Sequence, residues 1–326
     1  MNTSNIIGQS PLIASMERIL ASGRIVHAYL FTGPAGAGKK TMSSLFAQAL
    51  LCTNIEDKPC YTCRTCRQFA SGNHPDVFWV RRQEDKTAIV VDQIRDLQAA
   101  IKVKTYQAGK RICFIENAHL LTQQAQNALL KTLEEPPPDT LFLLLAENTS
   151  ALLPTILSRC QVFRIGSLSG EDIIEILSSR LSVKKEDAAV IAALSQGNPG
   201  KALALAEDET FQSCRKILIE GLSQAGSVRI LDLYGVFADN RDRVEDLFNI
   251  LQLWIRDLLI FKETGKWKLI INLDQTALLR MQVSHFTSAA LKDMIEKVEE
   301  SRTMLKRNSN YQITIENMLL SFQGGA

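Results

Sequence analysis

The sequence predicts an α/β fold, a doubly wound parallel sheet over the first ~165 residues, with an all-helical chain after it. Three observations carry this. Short apolar runs alternate with stretches of helical period as far as Ile165. A glycine-rich turn joins the first of those runs to the helix that follows it. Beyond Ser167 clear strand signals stop and helical patterns take over.

Pro11 to Ser22 places Leu12, Ile13, Met16, Ile19 and Leu20 at helical spacing. Ala28-Tyr29-Leu30-Phe31 is a short apolar strand that runs into Thr32-Gly33-Pro34-Ala35-Gly36-Ala37-Gly38-Lys39-Lys40-Thr41, and Met42 to Leu51 resumes a helical pattern. The turn matches the phosphate-loop pattern G-x-x-x-x-G-K-[ST] at Gly33, Gly38 and Lys39, with Gly36 between them. It departs from the pattern at one place: Lys40 stands where the Mg²⁺-binding hydroxyl belongs. Strand, loop and helix in that order let backbone N–H groups at a helix N-terminus meet a phosphate.

Cys52, Cys60, Cys63 and Cys66 follow, spaced C-x7-C-x2-C-x2-C. Two overlapping C-x2-C pairs can converge on one tetrahedral ion, and four cysteines leave no open position for a catalytic water. Structural zinc is expected over residues 52–66, and redox thiols or a plain surface loop are the alternatives. Cys113, Cys160 and Cys214 read as small apolar core residues.

Asp76 to Val80 and Arg111 to Ile115 read as strands, with a helix at Val91 to Ile101 between them. Thr122 is placed to cap a helix carrying Ala125, Ala128, Leu129 and Leu133, which Pro136-Pro137-Pro138 ends. Leu141 to Leu145 is apolar on both faces, as a central parallel strand is. Gln161 to Ile165 is the last apolar stretch. Helical patterns then cover Ile173 to Leu181, Ala188 to Leu194, Lys201 to Ala206, Val244 to Phe261 and Ala289 to Leu305, with Gly197-Asn198-Pro199-Gly200 as a break and Gly324-Gly325-Ala326 as a tail. His74 and His119 lie in polar turns and read as structural.

The chain has 326 residues, 46% hydrophobic and 22% charged, with a formal net charge of +2. Two or three globular domains are expected, and a dedicated nucleic-acid binder is disfavoured. Met1 to Gln9 holds no cationic leader before an apolar segment, and no run approaches the ~20 apolar residues of a membrane span. The expected compartment is the cytoplasm.

Ile7-Gly8-Gln9, Arg24 to Phe31 (RIVHAYLF), the phosphate loop, the four-cysteine insertion, Leu129 to Pro137 (LLKTLEEPP) and Ser158-Arg159-Cys160 together resemble the bacterial DNA polymerase III clamp-loader subunits of the AAA+ class. The resemblance implies an AAA+ α/β domain at 1–166, a small helical lid at 167–207 and a helical collar for oligomerisation at 208–326. It also implies membership of a DNA polymerase holoenzyme assembly. A clamp loader is a five-subunit machine that uses ATP to open the sliding clamp and place it on primer-template DNA. The implied partners are its ATPase subunits and its delta subunit in a hetero-pentamer, with clamp and DNA met through the complex.

Four positions that the resemblance makes hydrolytic are changed. Lys40 replaces the metal-binding hydroxyl, and Thr41 is turned away by ~100° along a helix. Glu116-Asn117 replaces an acidic pair, and neutral Asn117 cannot serve as a general base. Ala146, twelve residues before Ser158, replaces a polar residue, and Gly200 replaces an arginine. Arg159, beside Ser158, resembles the family's arginine finger, which reaches the nucleotide of a neighbouring subunit. The expectation is a subunit without its own ATPase activity, in which bound ATP at Gly33, Gly36, Gly38 and Lys39 is not expected and Arg159 acts in trans. The rivals are an active ATPase motor subunit of the same loader and a zinc-dependent DNA-binding or repair module.

Overall fold

The structure is a computed structural model that describes residues 1–4, 6–54, 57–102, 106, 109–222 and 228–322. The tail at Gly324-Gly325-Ala326 lies outside the described residues. The chain divides into two compact units, Met1–Leu168 and Ser169–Ala326.

The first unit runs α1 (Ser10–Ser22), β1 (Ala28–Thr32), α2 (Lys39–Leu51), α3 (Arg64–Ala70), β2 (Val77–Val80), α4 (Val91–Ala100), β3 (Arg111–Ile115), α5 (Gln123–Glu134), β4 (Thr140–Ala146), α6 (Pro154–Leu157) and β5 (Gln161–Arg164). All pairings are parallel, in the order β2-β3-β4-β1-β5. The period of two along a strand sends alternate residues to opposite faces. Leu30, Cys113, Ile115, Phe142 and Leu144 pack on one face with Ile94 of α4, Leu129 and Leu133 of α5 and Ile156 of α6. Tyr29, Phe31, Ile112, Phe114, Leu143 and Leu145 pack on the other with Met16 of α1 and Leu45 and Phe46 of α2. That double burial is why these strands read as continuous apolar runs.

The expected strands and helices of this unit are present with ends shifted by a few residues, and Thr122 caps α5 by accepting from the Ala125 N–H at 3.2 Å. The helix α3 inside the cysteine insertion was not anticipated. Its seven residues carry no apolar repeat, and its start is set by Cys63, whose Sγ accepts from the Cys66 N–H.

The second unit is helical among its described residues. It comprises α7 (Gly170–Leu181), α8 (Lys185–Ser195), α9 (Pro199–Glu207), α10 (Glu209–Gly221), α11 (Tyr234–Asp239), α12 (Val244–Thr264), α13 (Thr276–Val283), α14 (Ser288–Lys306) and α15 (Tyr311–Ser321). α12 buries Leu247, Phe248, Leu251, Trp254, Ile255 and Leu258, one stripe at helical spacing. A polar cluster is enclosed with that stripe. Asp257 is fully buried and accepts from the backbone N–H groups of Ile271 and Asn272 and from Asn272 Nδ2, and Arg215 joins Asn272 to Asp274. Each buried charge there has partners, as a low-dielectric interior requires. No helix of the described residues is long and apolar enough to cross a membrane.

Candidate functional site

In a parallel sheet the C-terminal strand ends collect on one side, and ligands of open α/β sheets meet the protein there. On that side lie the loop after β1, Arg81 after β2, Glu116 after β3 and Ala146 at the end of β4. Val80 pairs with Ile115 and Thr32 with Ala146, which sets these groups next to one another.

The loop's own lysine is turned inward. Lys39 Nζ donates to the carbonyl oxygens of Gly33 and Pro34 at 2.8 and 2.9 Å. Burial draws its pKa below the ordinary lysine value, with the Glu147 charge opposing that shift. Gly36 and Gly38 have φ of 77° and 96°, and Gly38 leads directly into α2. Gly33 is required for a different reason. A Cβ there would lie 2.9 Å from the Ile165 carbonyl oxygen, the backbone leaving β5.

Lys40, on the first turn of α2, points at Glu116. Its Nζ is 3.4 Å from Glu116 Oε1, and Arg81 Nε is 3.0 Å from Glu116 Oε2. Both cations lie over the Trp79 ring, at 5.3 and 4.7 Å from its centroid, and Trp79 stacks on Phe114 at 3.9 Å. Two side-chain cations therefore neutralise the acidic residue that, in a hydrolytic site, would face the metal. Arg81 was missed by sequence reasoning. Its position directly after a strand of the sheet was the available signal.

The other changed positions have local explanations. Asn117 adopts a left-handed conformation, φ 56° and ψ 47°, which asparagine tolerates better than glutamate does. Ala146 is fully buried and its carbonyl oxygen accepts from the Gly33 N–H at 3.3 Å. Gly200 is the second residue of α9, where Asn198 caps the helix by accepting from the Lys201 N–H. The neighbouring cation, Lys201, is engaged with Asp246 at 2.7 Å. His119 accepts from the Glu147 N–H through Nδ1 at 3.2 Å. His74 is buried, as is Asp76, within a turn whose Ser71, Gly72, Asn73 and Pro75 are exposed.

Ser158 and Arg159 lie on the segment that follows α6. Arg159 Nη2 donates to Glu134 Oε1 at 2.8 Å, and Nη1 donates to the Thr155 carbonyl oxygen at 3.0 Å and to Ser158 Oγ at 3.4 Å. Glu134 was not singled out from the sequence as the partner of Arg159.

The four clustered cysteines do converge. Their sulfur atoms all lie within 4.8 Å of one another. A tetrahedron with metal–sulfur bonds of ~2.3 Å has edges of about 3.8 Å, so a small closure suffices to hold an ion. Cys52 Sγ accepts from the Cys60 N–H, Cys60 Sγ from the Cys63 N–H and Cys63 Sγ from the Cys66 N–H, at 3.3–3.4 Å. Burial opposes the Cys63 thiolate, yet N–H donors from Cys66 and Thr53 outweigh it and bring the thiol down to about 6. The soft, anion-stabilised donor set fits a thiophilic metal ion. The insertion is stitched to the N-terminus by Asn2 N–H to the Lys58 carbonyl oxygen at 2.7 Å and by Tyr61 Oη to the Asn2 carbonyl oxygen at 3.1 Å.

A parallel sheet in this order, with a glycine-rich loop leaving β1 and an acidic residue leaving β3 on the far side of β4, makes the doubly wound α/β domain expected of an AAA+ chain. A family model described as DNA polymerase III, delta subunit, matches residues 8–169, and one described as its C-terminal part matches 209–324. The chain is 32% identical over 308 residues to DNA polymerase III subunit delta' of Bacillus subtilis, covering 93% of this chain and 92% of that one. It is 29% identical over 314 residues to the delta' subunit of Escherichia coli, covering 94% and 92%. Subunit tau of Bacillus subtilis is 27% identical over 341 residues, covering 96% of this chain and 60% of tau. The chain belongs to the DNA polymerase III delta' subunit family.

Proposed function

We propose that this chain is the non-hydrolysing stator of a bacterial clamp loader, and that it supplies Arg159 in trans to the nucleotide of a neighbouring ATPase subunit. The observation that carries the reading is the ion pair between Lys40 and Glu116. A hydrolysing P-loop site holds Mg²⁺ between the loop hydroxyl and an acidic residue. Here one member of that pair has become a cation and is neutralised by the other. Asn117, Ala146 and Gly200 remove the remaining hydrolytic groups, so the motor-subunit alternative has no chemistry left at this sheet.

Arg159 retains the charge and the fork of donors that stabilise a transferring phosphoryl group, a contribution of ~10³–10⁵ in rate where a finger is supplied in trans. Residues 1–166 then form the AAA+ domain, 167–207 the lid and 208–326 the collar that joins the loader's ATPase and delta subunits. The sliding clamp and primer-template DNA are met through that assembly, in the cytoplasm. Cys52, Cys60, Cys63 and Cys66 hold structural zinc that staples the insertion.

The test is ATP turnover in two settings. The purified chain alone should release no phosphate from Mg·ATP, with or without DNA and clamp. A loader reconstituted with Arg159→Ala should lose much of its ATPase activity, and normal turnover by that complex removes the finger assignment.

A further inference from the structure

We infer that Glu134 is the positioning residue for Arg159, fixing its guanidinium plane before the neighbouring nucleotide arrives. The inference rests on the finger reading above and names a group that reading does not include.

Glu134 is the last residue of α5. A carboxylate at a helix C-terminus faces the negative end of the macrodipole, an unfavourable place for it. A residue that breaks a local rule needs a compensating partner, and such places tend to be functional. The compensation here is Arg159, whose Nη2 lies 2.8 Å from Glu134 Oε1.

Both sides of the pair are rigidly held. Leu129 and Leu133 fix α5 to the core under the sheet, and Ile156 fixes α6 to the same core. Gln126, buried on α5, donates to the Ala151 carbonyl oxygen at 2.9 Å and accepts from the Leu153 N–H at 2.8 Å, tying the chain before α6 to α5. Arg159 therefore leaves a segment whose position α5 already determines.

The contacts orient the guanidinium without exhausting it. Glu134, Thr155 and Ser158 engage three N–H donors on the two outer nitrogens. An arginine has five donors in a planar fork, so Nε–H and one Nη2 donor are left for a phosphate. The side chain is 34% exposed, so part of it faces solvent. A single carboxylate oxygen orients the plane, and the phosphate need not displace it.

The test uses full loaders reconstituted with wild-type chain, Glu134→Ala, Glu134→Gln, Arg159→Ala and the double variant Glu134→Ala/Arg159→Ala. Glu134→Ala should lower kcat for ATP by about tenfold, within the range that misplacing a catalytic group costs, and leave KM nearly unchanged. Glu134→Gln keeps an acceptor on the same stem and should recover most of the rate. The double variant should turn over no more slowly than Arg159→Ala alone, because Glu134 acts only through Arg159. Wild-type or faster turnover by Glu134→Ala, alongside a slow Arg159→Ala, overturns this inference and leaves the finger standing. Wild-type turnover by Arg159→Ala removes the finger and this inference with it. A melting temperature shared by Glu134→Ala and wild type separates loss of positioning from loss of folding.

Discussion

Lys40 and Glu116, 76 positions apart in sequence, meet as an ion pair at 3.4 Å on the side of the sheet where a nucleotide's metal would lie. The pair exists because α2 begins at the end of β1 while Glu116 leaves β3, and β4 alone separates those two strands. A divalent ion placed there would meet an ammonium instead of a hydroxyl. Arg81 supplies a second positive charge to the same carboxylate.

Replacing Lys40 by threonine should therefore not restore hydrolysis, because Asn117 and Ala146 still lack the groups for handling water. Phosphate release by Lys40→Thr with Mg·ATP is expected to stay at the blank rate. Its stability should change by less than about 1 kcal/mol, since Lys40 is 55% exposed and such pairs are weak. Turnover by this single variant would show that Lys40 alone had silenced the site, and that the other three positions are neutral.

The α/β alternation was legible because strands buried on two faces and helices buried on one leave different periods in the chain. Leu141 to Leu145 and Arg111 to Ile115 are such strands. The degenerate loop was legible from its glycine spacing. The cluster of Lys40, Glu116, Arg81 and Trp79 was not, because strand order decides which strand ends adjoin, and no local pattern states that order. The same holds for Glu134, which a helical reading places on the surface of α5 without saying that Arg159 returns to it. Helix α3 escaped notice because its cap is a cysteine, a residue read as a metal ligand rather than as a helix start.

The four-cysteine cluster predicts one zinc per chain in reduced, purified protein, measured by elemental analysis. Cys63→Ser should bring that ratio well below one, because it removes a thiolate while leaving a hydroxyl that can still cap α3. Structural zinc in small sites is worth ~10–16 kcal/mol of apparent binding, far more than a seven-residue helix can supply for itself. Chelation should then expose Arg64 and Arg67 to trypsin while the rest of the first unit resists. Full occupancy by the Cys63→Ser variant, or an untouched digestion pattern after chelation, would contradict the four-thiolate site.

His74 predicts a pH dependence. Burial lowers its pKa, with the Asp76 charge acting in the opposite direction. Its Nδ1 accepts from the Asp76 N–H at 3.1 Å, a bond that only an unprotonated Nδ1 can accept. The unfolded chain takes up its proton near 6.5, while the folded chain resists until a lower pH. Between those two values the unfolded state holds the extra proton, so this contribution to stability is full above about 6.5 and declines as pH falls. Urea unfolding followed downward from pH 7.5 should show the decline. His74→Asn keeps an acceptor for an N–H two residues on and has no titration, so its curve should be flatter over that window.

Gly33 separates two reasons for keeping a glycine-rich loop after β1. If the loop remained only to cradle phosphate, a methyl group at Gly33 would matter when nucleotide binds and would leave the ligand-free fold untouched. The geometry says otherwise. A Cβ would lie 2.9 Å from the Ile165 carbonyl oxygen and 3.3 Å from Ile165 Cβ. Ile165 cannot retreat freely, because its N–H donates to the Thr32 carbonyl oxygen at 2.8 Å and continues the pairing of β1 with β5. The strain of such overpacking is ~1–3 kcal/mol. Gly33→Ala should lower the urea-unfolding stability of the nucleotide-free chain by about that much, and a neutral result would return the glycine to phosphate binding alone. The loss is expected because this turn is where β1 closes against β5, a packing requirement that persists whether or not the loop ever meets a phosphate.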